Sequence, residues 1–214
     1  MDTFLNGVWV TGLCFISSGL TSKLLLHIPN RYLGLPSISI NGITLLIAYS
    51  GVGSVGLLLG YSSFSILMLF LFLNLALPLF FIDLNTGYLP NILTYSLLWV
   101  GLLYQGISLN GNLISAFYAL ILSYVLLVVM TTIMEKIRKR PQMGRGDFKL
   151  IAACSAWLGL LDLPYFLGLS ASLGIVHFIA LCIKTKGTLV SSIPFGPAII
   201  CSAMVWLFVS MSPN

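Results

Sequence analysis

The sequence predicts an all-α membrane protein, a polytopic bundle of about eight transmembrane helices. Hydrophobic residues make up 58% of the chain and charged residues only 7%. A typical soluble domain carries about 25% charged residues, because its surface must face water. The 214 residues leave no room for a separate soluble domain beside the helices. We therefore expect a single transmembrane domain over residues 1–214.

Eight apolar stretches account for the predicted helices, since each crossing of the hydrocarbon needs roughly 20 apolar residues. Turn-forming clusters such as Pro29-Asn30 and Asn85-Thr86-Gly87 separate these stretches. The sixth stretch is short and is expected to reach only part-way across. The eight stretches are 4–26, 38–60, 62–83, 91–107, 112–134, 148–161, 164–183 and 191–211.

The basic residues predict the orientation of the chain. If the N-terminus lies outside, all ten Lys and Arg residues fall in or beside the inside loops, whereas Asp2 and Asp162 fall outside. These basic residues sit between hydrophobic stretches and form no patch interleaved with aromatic residues. We therefore expect them to set the topology and to contact membrane lipids, and we expect no nucleic-acid binding.

The sequence gives little support for a metal site or for a nucleophilic catalytic residue. The four cysteines form no CxxC pair, so neither a zinc knuckle nor a thioredoxin-like motif is indicated. His27 and His177 are far apart and have no Asp or Cys neighbour that would suggest a zinc site or a catalytic triad. We expect no metal and no other cofactor.

The five acidic residues point to two candidates. Asp2 and Asp162 are explained by an exposed end and a turn, and Glu135 adjoins a basic run that offers it ion-pair partners. Asp83 ends the third apolar stretch and Asp147 begins the sixth. On the predicted topology both emerge at the inner face, where an ionisable residue in a membrane segment is a functional candidate.

Each aspartate also has a structural interpretation. Asp147 is well placed as a helix N-cap, and Asp83 could cap a turn with Asn85 and Thr86. As a pair they could do more, because two adjacent carboxyls share one proton. The ionised member can activate water, and the protonated member can polarise a peptide carbonyl. The helix N-terminus favours Asp147 as the ionised base, and Gly144 and Gly146 would let the backbone approach closely.

Three segments together resemble the type IV prepilin peptidase family, a group of GxGD aspartic membrane proteases. Residues 143–153 read Met-Gly-Arg-Gly-Asp-Phe-Lys-Leu-Ile-Ala-Ala, which is similar to its GxGDxKL region. Residues 82–84 (Ile-Asp-Leu) and 89–91 (Leu-Pro-Asn) resemble its first catalytic segment, and 193–197 (Ile-Pro-Phe-Gly-Pro) resembles its PFGP motif. The resemblance extends over roughly residues 62 to 211.

The resemblance implies an aspartic endopeptidase of the bacterial inner membrane whose active site faces the cytoplasm. Its substrates would be prepilins or pseudopilins, from which it removes a basic leader peptide. Asp83 and Asp147 match the catalytic pair of the family. The supporting motif positions are Gly144, Gly146, Lys149, Pro90 and Asn91.

The sequence departs from the family in two places. Many relatives carry a cytoplasmic domain with CxxC zinc motifs between the first two spans and also methylate the new N-terminus. Here that connection is only about His27 to Leu35 and holds no CxxC, so we expect a short form with peptidase activity alone. Gln142 stands where relatives often carry an acidic residue.

Other interpretations stay open on sequence grounds. A presenilin-type GxGD protease would pair its motif with Tyr-Asp, whereas Asp83 follows Ile82. A proton-coupled small transporter could use the two aspartates as a relay, although both lie near one face and no inverted repeat is evident. A scaffold subunit without chemistry would use both aspartates as caps.

Overall fold

The computed structural model describes residues 2–34, 37–109, 111–139, 144–184 and 194–212. Gln142 and the first residues of two motif strings, Met143 and Ile193, lie outside these ranges. Within them the chain forms eight α-helices and no strand, which confirms the all-α prediction. The helices are α1 Asp2–Leu33, α2 Gly42–Leu58, α3 Ser63–Thr86, α4 Asn91–Ile107, α5 Leu113–Arg138, α6 Arg145–Leu158, α7 Leu163–Lys184 and α8 Gly196–Ser210.

Four helices among the described residues are long and apolar enough to cross a membrane. They are α1 over Gly7–Tyr32, α3, α5 and α7 over Leu163–Ile183. The helices α2 and α8 are apolar but shorter. Lengths and compositions of this kind indicate a multi-pass membrane protein.

The predicted break at Pro29-Asn30 is wrong, because α1 continues through Pro29 to Leu33. A proline inside a helix has no N–H to donate to the carbonyl four residues earlier, which here is that of Leu25. The N–H of Ile38 donates to that carbonyl at 3.3 Å. The returning chain thus satisfies the acceptor that Pro29 leaves open, and the helix can continue.

Two further boundaries differ from the prediction. The helix α3 continues through Asn85 and Thr86, which were expected to form a turn, and the chain reverses only at Gly87, whose φ is +64°. A positive φ is accessible to glycine at little cost. The helix α6 begins at Arg145 and not near residue 148, so that Asp147 lies inside its first turn.

The chain divides into two compact units, one of Met1–Ile82 with Met211–Asn214 and one of Asp83–Ser210. The expectation of a single peptidase domain stays a prediction. In the first unit, α1, α2 and α3 are joined by polar side chains that are buried or half-buried. Tyr49 hydroxyl lies 2.6 Å from Thr21 Oγ1 and 3.1 Å from Asn74 Oδ1. Asn74 also donates to Ser17 Oγ at 3.0 Å. Such interhelical hydrogen bonds stabilise helix association in lipid.

The second unit is organised around α6, which is buried from Leu150 to Leu158 and packs against α4, α5 and α8. Its small residues at 152–156 allow close approach of neighbouring helices. Trp157 anchors α6 to α4, since its indole N–H donates to the carbonyl of Leu97 at 2.8 Å. Gln105 donates to the carbonyl of Trp157 at 2.6 Å and accepts the Asn112 N–H at 3.0 Å. This contact fixes α6, and therefore its first turn, relative to α4 and the start of α5.

The contact between α4 and Trp157 depends on Gly101. A methyl group at Gly101 would lie 2.7 Å from Trp157 Nε1, too close for both to remain in place. We expect Gly101→Ala to lower the free energy of unfolding by about 1–3 kcal/mol through overpacking, measured by thermal unfolding in detergent. Gly106→Ala in the same helix is the control, because its methyl group would meet Leu113 at an ordinary 3.8 Å. Equal effects of the two changes would contradict this packing argument.

Candidate active site

Asp83 lies in the last turn of α3, where its side chain is only 3% exposed. One carboxylate oxygen, Oδ2, accepts the backbone N–H of Gly196 at 2.8 Å. Its backbone carbonyl accepts the N–H of Gly87 at 2.8 Å, where α3 ends. One oxygen of the side chain therefore faces the N-terminus of α8, and the cap on Asn85 and Thr86 that one sequence interpretation suggested stays a prediction.

The segment Pro194-Phe195-Gly196 brings α8 to Asp83. Gly196 is the first residue of α8, and the carbonyl of Phe195 accepts the N–H groups of Ala198 and Ile199. The ring of Phe195 fills the space that a side chain at Gly174 would occupy in α7. A Cβ atom at Gly196 would lie 2.6 Å from Asp83 Oδ2, so only glycine fits this contact.

Asp147 lies in the first turn of α6, and the N-cap of that helix is Gly144. The interpretation of Asp147 as the N-cap is therefore wrong: the Asp147 N–H already donates to the Gly144 carbonyl at 3.1 Å. Burial, and after it the negative charge of Asp83, raise the pKa of the Asp147 carboxyl from 3.8 to about 7, although a backbone hydrogen bond from Gly144 lowers it in part. At neutral pH a carboxyl with this pKa holds a proton for about half of the time.

The two glycines of the GxGD segment are close to other groups. A Cβ atom at Gly144 would lie 3.2 Å from Asp147 Oδ2, and one at Gly146 would lie 3.2 Å from Leu89 Cβ. Distances this short leave little room for a side chain. The first turn of α6 can therefore lie against its own aspartate and against the chain that leads into α4.

The chain that leads into α4 contains the remaining predicted positions. Pro90 is buried and forms the N-cap of that helix, and Asn91 is its first residue. Lys149 Nζ donates to Asn91 Oδ1 at 2.9 Å and lies 5.6 Å from the centre of the Tyr95 ring. This contact ties the first turn of α6 to the first turn of α4.

Asp83 and Asp147 line one cavity of about 600 Å³. Asn91, Gly144, Gly146 and Lys149 line it as well, whereas Pro90 is not among the lining residues. The cavity wall also includes residues that were not predicted as site residues, chiefly Tyr88, Arg145, Pro194 and Phe195. The PFGP string was the one sequence signal that could have added Pro194, Phe195 and Gly196 to the site.

The cavity thus joins two carboxyls from positions 83 and 147 of the chain. In the part of the chain that the structure describes, no three His, Cys, Asp or Glu side chains group together as metal ligands would. Two interacting carboxyls titrate as a pair, and one proton shared between them provides an acid and a base together. That combination can hydrolyse a peptide bond by direct attack of water.

Comparison with known proteins places the chain in a family. The model of the type IV leader peptidase family matches residues 67–179, more than half of the chain and most of the residues that form the cavity. The chain belongs to the type IV leader peptidase family. The resemblance seen in the sequence is thereby confirmed.

Three curated leader peptidases illustrate the similarity, each named prepilin leader peptidase/N-methyltransferase. The protein of Neisseria gonorrhoeae is 35% identical over 60% of this chain and 44% of its own length. That of Legionella pneumophila is 36% identical over 68% of this chain and 51% of its own. That of Escherichia coli (strain K12) is 34% identical over 64% of this chain and 60% of its own. The chain spans about half the length of the relatives it matches. No solved structure matches it.

The raised pKa of Asp147 has a consequence for stability. In the unfolded chain this carboxyl ionises near pH 3.8, and in the folded protein near pH 7. Between these values the folded state binds more protons, so its stability falls as the pH rises from about 4 to 7. We expect Asp147→Asn to raise the melting temperature in detergent at pH 8 and to change it little at pH 4.

Asp162→Asn is the matched control for this measurement. The pKa of Asp162 is raised by burial alone, without a second carboxyl beside it. We expect a smaller gain in melting temperature at pH 8 for this variant. A gain of equal size in the two variants, or one for Asp147→Asn that does not depend on pH, would contradict the electrostatic account.

Proposed function

We propose that the chain is a membrane-embedded aspartic endopeptidase that removes the basic leader peptide from type IV prepilins or pseudopilins. Asp83 and Asp147 are its catalytic pair. The observation that carries this proposal is the position of both carboxyls on one cavity, with the charge of one raising the pKa of the other. The family match and the names of the relatives support the substrate class.

The pair would act as follows. The ionised carboxylate takes a proton from water, and the oxygen of that water forms a bond to the carbonyl carbon of the peptide. The protonated carboxyl gives its proton to the carbonyl oxygen, which produces a tetrahedral diol. The carbon–nitrogen bond then breaks as the nitrogen is protonated by the first carboxyl and the second carboxyl regains its proton. The two products are a free acid and a free amine, and the pair returns to its starting state.

We place this chemistry at the cytoplasmic face of the inner membrane. All ten Lys and Arg residues fall on one side of the predicted topology, and positive loops stay inside. Asp83 at the end of α3 and Asp147 at the start of α6 belong to that side. We also propose that methyl transfer is absent, since α1 ends at Leu33 and α2 begins at Gly42, too short an interval for an inserted domain.

The other supporting residues would shape the cavity. Gly144 and Gly146 keep side chains away from Asp147 and Leu89. Lys149, Asn91 and Pro90 connect the starts of α6 and α4. We propose that these residues hold the catalytic turn in place and do not themselves react.

Asparagine substitution tests the catalytic pair. With a prepilin co-expressed, we expect Asp83→Asn and Asp147→Asn each to reduce leader removal by at least about 100-fold, the scale of general acid–base catalysis. Asparagine has nearly the same shape as aspartate but can neither take up nor release a proton in this range. Leader removal is followed as a mobility shift on a gel, with membrane insertion checked in the same cells.

Asp162→Asn is the control, because Asp162 does not line the cavity, and it should process at the wild-type rate. Continued processing with both Asp83 and Asp147 changed would refute the catalytic pair. Absence of processing by the inserted wild-type chain, tested with several prepilins and pseudopilins, would refute the substrate class. Proton uptake into vesicles by such a chain would then support the transporter interpretation.

A further inference from the structure

We propose that Gly196 is a positioning residue whose backbone N–H holds Asp83 as the ionised member of the pair, so that Asp83 is the base and Asp147 the acid. The inference rests on the proposed function, because the two roles exist only if the chain cleaves a peptide. It reverses the expectation from sequence, in which the helix N-terminus at Asp147 made that residue the base.

The contact between α8 and Asp83 favours a negative charge on the carboxylate. The Gly196 N–H donates to Asp83 Oδ2 at 2.8 Å, and both groups are buried. An N–H in the first turn of a helix has no acceptor within that helix, and the helix dipole adds positive potential at this end. A hydrogen bond donated to a carboxylate is strongest when the acceptor is charged, and it therefore stabilises the ionised form.

Steric fit makes this contact specific to glycine. A Cβ atom at Gly196 would lie 2.6 Å from Asp83 Oδ2 and 2.9 Å from its Cγ. Any side chain would therefore push the carboxylate away from the N–H, or tilt the start of α8. The φ of Gly196 is not in the left-handed region, so backbone conformation does not require a glycine here. The close approach of the backbone to the carboxylate does require one.

Asp147 also accepts a backbone hydrogen bond, from Gly144, in the first turn of α6. Desolvation and the negative charge of Asp83 outweigh that hydrogen bond and raise the pKa of Asp147 to about 7. Among the residues that the structure describes, the other ionisable groups that line the cavity are Tyr88, Arg145 and Lys149. The ammonium of Lys149 is hydrogen-bonded to Asn91, and α8 brings no Asp, Glu, Lys, Arg or His of its own. Thus the proton that the pair shares resides on Asp147.

The roles that follow are specific. Asp83, with Oδ2 held by Gly196, uses its carboxylate to take the proton from water as the oxygen of that water attacks the carbonyl carbon. Asp147 donates its proton to the carbonyl oxygen. Cleavage should therefore fail at low pH when Asp83 is protonated, and at high pH when Asp147 has lost its proton.

Gly196→Ala tests the role of the N–H through the pH–rate profile of leader removal in detergent or vesicles. We expect cleavage at pH 7 to fall about tenfold to a hundredfold, the effect of losing a hydrogen bond to a charged group. The acidic limb should move to higher pH by about one unit or more, because protonation of Asp83 becomes easier. Gly168→Ala in α7 is the control, since a methyl group there meets nothing within 4 Å. It should keep the wild-type rate and profile.

A second variant removes the N–H without adding a methyl group. Glycolic acid in place of Gly196, introduced by suppression of a stop codon, turns the amide into an ester and leaves the Cβ position empty. We expect the same movement of the acidic limb. If Gly196→Ala does not fold, this ester variant alone decides the question.

The outcomes separate the inference from the proposed function. If the wild-type chain cleaves prepilin and the ester variant keeps the wild-type acidic limb, the proposed role of Gly196 is wrong while the peptidase function stands. A variant that is slower at every pH with unmoved limbs shows a structural role only and also overturns the inference. If the basic limb moves and the acidic limb does not, the Gly196 N–H acts on the acid, Asp147, and not on the base. That result would also overturn the inference. If the wild-type chain does not cleave, both proposals fall together.

Discussion

The electrostatic coupling of two carboxyls on one cavity is the interaction on which the rest of the second unit depends. Asp83 and Asp147 line one cavity, and the charge of the first helps to raise the pKa of the second to about 7. Such a pair would separate if the chain could relax, so the helices must hold it. The burial of α6 among α4, α5 and α8 provides that restraint. Trp157 and Gln105 fix the far end of α6, while Lys149 and Asn91 fix its first turn.

At each of the two aspartates, a glycine allows the backbone to approach the carboxyl group closely. At Gly196 an added Cβ would collide with Asp83, and at Gly144 it would crowd Asp147. At both positions the backbone lies directly against the carboxyl group of an aspartate, so there is little room for a Cβ atom between them. The cost is a more flexible unfolded chain. This cost is smaller than that of leaving a buried carboxylate without a donor.

The sequence predicts the helices well, because a chain in lipid must satisfy its backbone hydrogen bonds within each segment. Hydropathy therefore locates the eight helices of the described residues, and the positions of Lys and Arg predict that Asp83 and Asp147 lie on one side of the membrane. Pro29 misled the prediction because the acceptor it leaves open is satisfied by Ile38, a tertiary contact with no local signal. The donor to Asp83 was missed for a similar reason. A backbone N–H from residue 196 looks the same in sequence as any other, and only the fold shows that it meets a carboxylate.

Charge balance in the cavity follows from these contacts. With one proton on the pair, the two aspartates carry a single negative charge between them, and Arg145 and Lys149 line the same cavity. Lys149 is held by Asn91 and by the face of Tyr95, which limits its freedom to form an ion pair with either aspartate. An ammonium that reached Asp147 would stabilise its carboxylate form and remove the shared proton. The contact between α6 and α4 therefore does two things: it fixes the first turn of α6, and it places the Lys149 ammonium against Asn91 and Tyr95.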